Sequence, residues 1–148
     1  MAIARGAGTE IIRAHHFEDV GSPHQKLIFG TQHHIYTVLS VVMYCAVRTG
    51  TEYGYLTLVA YDSDAGTTAQ PINLARVGCE TDETYIWGDK FSFNGHEPVD
   101  FSGPMDDVTK QDAIADQGSS VVNYLKFATD SANTKYDITV TFIDQNNS

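Results

Sequence analysis

Hydrophobic residues recur with period two along much of this chain. The longest such run, His34–Arg48 (HIYTVLSVVMYCAVR), is apolar in both phases. One phase carries Ile35, Thr37, Leu39, Val41, Met43, Cys45 and Val47. The other carries His34, Tyr36, Val38, Ser40, Val42, Tyr44, Ala46 and Arg48. A strand wet on one side alternates cleanly, whereas a strand covered on both sides need not. The run therefore predicts a strand with one face in the domain core and the other against a second layer or a neighbouring subunit. Tyr36, Val38, Val42 and Tyr44 become the candidate oligomer interface.

Other segments give simpler patterns. Tyr136–Ile143 alternates cleanly, with Tyr136, Ile138, Val140 and Phe142 on one face and Asp137, Thr139 and Thr141 on the other. Glu52–Tyr61 reads as a strand joined to the long run through Thr49-Gly50-Thr51, which predicts an antiparallel hairpin. Glu83–Phe93 reads as an aromatic strand with Tyr85, Trp87, Phe91 and Phe93 on one side and a bulge at Gly88. Lys26–Phe29 reads as a short strand, Pro71–Cys79 as a weaker one, and Ser120–Thr129 as a further strand with Val121, Leu125 and Phe127 on one side. Asp62–Thr68 reads as a loop, and Asp106–Gln117 as a short helix with acids near its start.

This inventory predicts an all-β protein: an antiparallel β-sandwich, jelly-roll or Ig-like, with at most one short helix. Residues 1–26 read as an extended N-terminal arm and 27–148 as a single sandwich domain. Periodicity alone leaves the two topologies open.

Composition narrows the function classes. A chain of 148 residues is long enough for one domain with a real core. Nineteen acids against nine bases give a formal net charge of −10, which disfavours nonspecific nucleic-acid binding, since that relies on neutralising phosphates. No apolar run approaches the ~20 residues of a membrane-spanning helix. The start, MAIARGAGTE, lacks the apolar segment of a secretory signal, so synthesis in a cytosol is the expectation. Cys45 and Cys79 are a sparse pair, with Cys45 in the core phase of its strand as a small hydrophobe.

Candidate chemistry is thin. The doublets His15-His16 and His33-His34 suggest metal ligands, but neighbouring strand residues point to opposite faces and neither doublet has a metal-motif spacing. Asp62-Ser63-Asp64-Ala65-Gly66 resembles the opening of a calcium loop without its later ligands. The acids Glu97, Asp100, Asp106, Asp107, Asp112 and Asp116 read as a solvated face. Gly118-Ser119-Ser120 is not a nucleophile elbow, and there is no Gly-rich phosphate loop. The expectation is a protein without catalysis, metal or cofactor. Tyr85 and Trp87 are a candidate glycan platform, with core packing as the alternative.

The leader ARGAGTEIIRAHHFEDV, the strand HHIYTVLSVVMY, the piece ETYIWGDKFSFNG and the ending KYDITVTFIDQNN together resemble small β-sandwich virion proteins of tailed bacteriophages, the capsid decoration or cement class. The resemblance implies a non-enzymatic homotrimer or other oligomer on the capsid surface of the virion, made in the host cytoplasm. Its partners would be itself and the major capsid protein or another virion protein, without nucleic acid or membrane. Under that reading the leader is a capsid-binding arm, with Ile11 and Ile12 as apolar anchors and Arg5 and Arg13 pairing with acids. A carbohydrate- or receptor-binding module and a tail or neck accessory are the alternatives.

Overall fold

A computed structural model describes residues 9–61, 69–96 and 122–146. These form nine strands: β1 (Thr9–Val20), β2 (Gln25–Phe29), β3 (His34–Val47), β4 (Gly54–Tyr61), β5 (Ala69–Val77), β6 (Thr84–Trp87), β7 (Phe91–Asn94), β8 (Tyr124–Thr129) and β9 (Lys135–Asn146). Among the described residues there is no helix. The expected helix at 106–117 and the loop at 62–68 lie outside them.

The strands make two antiparallel sheets. One has five strands in the order β1-β9-β3-β6, with β7 also on β3; the other has four in the order β2-β8-β4-β5. First and last strands are neighbours, and the chain passes between sheets at most connections. This is jelly-roll order, which resolves the choice that periodicity left open.

The core lies between the sheets. β9 supplies Tyr136, Ile138, Val140 and Phe142, each no more than 1% exposed, as its alternation predicts. Tyr85, Trp87, Phe91 and Phe93 do share a face, because their partners on β3 are Met43, Val41, Val38 and Tyr36. The aromatic segment is nonetheless two strands, β6 and β7, separated around Gly88.

The central strand β3 corrects the first expectation. Its register on β9 slips between Val38 and Ser40, leaving Leu39 as the extra residue. A bulge of this kind moves every later side chain to the other face. Tyr36 and Val38 are therefore core before the bulge, and Val41, Met43 and Cys45 are core after it. Both phases look apolar because one core face is written in two phases.

Two further expectations are overturned. Within the segment 1–26, expected as an extended arm outside the sandwich, Thr9–Val20 is a strand of the sandwich itself, paired with β9 from Thr9↔Asn146 to Val20↔Tyr136. Nor do β3 and β4 form a hairpin: β3 pairs with β6, β7 and β9, and β4 with β5 and β8. The link between them arches across the sandwich and is held by polar groups. Tyr53 N–H donates to Asp130 Oδ2 at 2.8 Å and Thr49 N–H to Thr134 Oγ1 at 3.1 Å. Glu52 Oε2 accepts from the hydroxyls of Ser131 and Thr134. Backbone donors that a hairpin ladder would satisfy are satisfied here by side chains.

At one end of the sandwich two loops touch through glycines. A Cβ at Gly30 would stand 2.0 Å from the Gly95 carbonyl oxygen, and one at Gly95 would stand 2.0 Å from the Thr31 oxygen. Asn123 clips the pair together: Gly30 N–H donates to its carbonyl at 3.0 Å, and its N–H donates to the Gly95 carbonyl at 3.0 Å.

Candidate functional site

Beside these glycines, Arg13, His15, Phe29, His34, Tyr36 and Asp144 line part of a 280 Å³ cleft. The alternation of β9 places Asp144 on the inner face, 7% exposed. Its carboxylate accepts from Arg13 Nε at 2.9 Å and from His34 Nδ1 at 2.5 Å. Three strands thus meet on one buried acid: β1 through Arg13, β9 through Asp144 and β3 through His34. Charge-assisted bonds of this kind are stronger than neutral ones.

The other groups in the cleft are also engaged. His15 Nδ1 donates to the Leu27 carbonyl at 3.2 Å, and its ring stands edge-on to Phe142 with centroids 5.1 Å apart. Thr31 N–H donates to the Tyr36 hydroxyl at 3.1 Å. Burial raises the Tyr36 pKa above its ordinary value, and the Asp144 charge adds to the effect, so this hydroxyl stays protonated at neutral pH. The chemistry this arrangement performs on the chain itself is clear. It ties the edge strand β1 to the two strands inside it.

A second feature is the outer face of the same sheet. Directly opposed residues of an antiparallel pair share a face, so the registers define its rows. Ile12, Ile143, Thr37 and Ser92 form one row; Ala14, Thr141 and Ser40 the next; His16, Thr139, Val42 and Ile86 the third. None of these is Asp, Glu, Lys or Arg, in a chain that is 19% charged. Ile12 is 71% exposed and Ile86 62%. The hydroxyls partly satisfy one another, with Thr37 Oγ1 2.9 Å from Ser92 Oγ and His16 Nδ1 2.7 Å from Thr139 Oγ1.

The residues expected to carry function are scattered. Tyr36 and Val38 are 3% and 0% exposed in the chain's own core, so a companion subunit cannot reach them. Val42 and Tyr44 do lie on the outer face, half-buried, with the Tyr44 hydroxyl donating to Asp82 at 2.6 Å. Ile11 and Ile12 are exposed on opposite faces of β1, and Arg13 is drawn to Asp144. Arg5 lies outside the described residues, as do Glu97, Asp100, Asp106, Asp107, Asp112 and Asp116. Trp87 is turned inward and half-buried, with its indole N–H lacking a partner, while Tyr85 is exposed. They do not make one open platform.

The doublet His15-His16 divides as strand geometry requires, His15 inward and His16 outward, whereas His33 lies in the turn before β3 and only His34 is in the strand. Among the described residues no three His, Cys, Asp or Glu side chains are grouped to hold a metal ion. Cys45 and Cys79 are free and buried, and burial raises both thiol pKa values. Asp144, at the centre of the cleft cluster with Arg13 and His34, lies outside the set of residues expected to carry function. Continuing the β9 alternation two residues past Phe142 reaches it.

No protein-family model matches this chain, and no curated protein does. Among solved structures, the chain is similar to one described as "Bacillus endospore appendages form a novel family of disulfide-linked pili". That likeness covers 100% of this chain and 97% of the other, at 13% identity and a TM-score of 0.40.

Proposed function

We propose that this chain is a non-enzymatic structural component of a tailed-phage virion, a decoration or cement protein that binds the assembled head. The observation that carries the reading is an uncharged three-row patch on the outer face of the five-stranded sheet, between Glu10 and Asp137 in the flanking rows. Its three rows from Ile12 to Ile86 contain β-branched and hydroxyl side chains only, apart from Ala14 and His16. Interface cores are depleted in charge, and a flat face of this kind fits a protein surface better than a small molecule. The resemblance of the leader, central strand and ending to virion β-sandwiches gives the partner its class.

The mechanism is mass action. A protein that binds the closed shell and not its dissociated parts stabilises the shell. Repetition on a symmetric lattice turns modest single contacts into durable attachment. The docking surface is the outer face, with Val42 and Ile86 at one end and Ile12 and Ile143 at the other.

An antibody raised against the recombinant chain, applied to density-banded particles of the source phage, tests the assignment. Labelling of intact heads is the expected result. Chain found only in the soluble lysate, with bare particles, overturns it. Val42→Asp tests the surface: it should cost about 1 kcal/mol of folding stability at most, as a half-buried outward position, while lowering particle occupancy at least tenfold. Unchanged occupancy would remove this face from the mechanism.

A further inference from the structure

Among the described residues β1 is bound on one side only. Its partner is β9, and no described residue pairs with its other edge. Every residue from Thr9 to His16 is exposed, including Ile11 at 46% and Ile12 at 71%. An open edge offers a row of unpaired N–H and C=O groups, and proteins usually guard it with Lys, Pro, a bulge or a covering loop. The stretch TEIIRAHH has no Lys and no Pro. Its register on β9 runs without a slip until Phe17. Its one cation, Arg13, is turned to Asp144.

We infer that this edge pairs antiparallel with the same edge of a second copy, about a two-fold axis at Ile12. The geometry limits the choices. A two-fold that relates antiparallel neighbours stands perpendicular to the sheet and keeps each residue on its own face, so only registers centred on a residue are allowed. Centred on Ile12, Ile12 meets Ile12 of the second copy, Ile11 meets Arg13, and Glu10 meets Ala14. No like charges oppose, and Ile143 beside each Ile12 extends the apolar row across both copies. Centred on Arg13, the two guanidinium groups would face each other. Centred on Ala14, Glu10 would face Glu18. Centred on Ile11, Ile12 would face Glu10. Directly opposed like charges weaken a strand pair, whereas β-branched pairs support it. The contact is isologous and closes on itself, as most soluble dimers do.

The inference concerns the chain alone and stands apart from the virion assignment. Light scattering on the full-length protein at tens of micromolar should show a dimer. Ile12→Lys, at an exposed position, should weaken dimerisation at least tenfold while leaving the circular dichroism and thermal midpoint in place. Mild oxidation of Ile12→Cys should give a cross-linked dimer, because opposed residues lie within disulfide reach at a Cα separation of roughly 4.5–5.5 Å. Ala14→Cys should not, since its two thiols would lie about four residues apart along the pair. A monomer, a trimer, a dimer unaffected by Ile12→Lys, or cross-linking through Ala14→Cys rather than Ile12→Cys would each overturn the proposal.

Discussion

Strands β1 and β9 are both twelve residues long and lie side by side, yet one is almost wholly exposed and the other is buried at every second position. β9 sits between β1 and β3, so its inner side chains fill the core and its backbone is paired on both edges. Among the described residues β1 has one neighbour, and the facing sheet leaves most of its inner side exposed. A strand's place in the sheet, rather than its length or its pairing, decides what holds it. For β9 that is apolar burial. For β1 it is a backbone ladder reinforced by Arg13 on Asp144, with apolar contact confined to His15, Phe17 and Val20 near its end.

The comparison can be broken by substitution. Ile138→Ala on β9 empties a fully buried site and should cost about 2–5 kcal/mol, read as a lower urea midpoint with an unchanged slope. Asp144→Asn leaves Arg13 and His34 without their carboxylate. It should cost about 1–3 kcal/mol, less than a fully buried pair because Arg13 is half exposed. Its sharper readout is hydrogen exchange: the β1 amides should lose protection more than those of β9. Equal loss in both strands would mean that the acid supports the whole sheet and not its edge. Ile12→Ser, measured under monomeric conditions, should stay within about 0.5 kcal/mol of the parent chain. A loss as large as that of Ile138→Ala would show that β1 is covered after all.

The same contrast explains what could be read from residue order. β9 was legible because Tyr136 to Phe142 alternates without interruption against a single core. β1 was not, because EIIRAHHF lacks alternation where no facing layer demands it, and so it read as an arm. β3 misled for a third reason. Period-two reading assumes an unbroken ladder, and the single extra residue Leu39 exchanged the faces half-way along. An unbroken phase groups Tyr36 and Val38 with Val42 and Tyr44, whereas the bulge puts the first two in the core and leaves the last two on the outer face. The arch between β3 and β4 was hidden because its anchors, Asp130, Ser131 and Thr134, lie some 80 positions further along the chain. Of the cleft, the histidines were visible as residues, but their convergence with Arg13 on Asp144 is a property of strand order.

Gly30 and Gly95 carry a consequence of another kind. A methyl group on either would sit well inside the van der Waals radius of a backbone oxygen on the opposite loop, and backbone cannot swing aside as a long side chain can. Alanine at either position is not rescued by any choice at the other, since the clash is with backbone and glycine is already the smallest residue there. A saturation library sorted for correctly folded protein should leave both nearly untouched while accepting wide variation from Thr9 to Ile12.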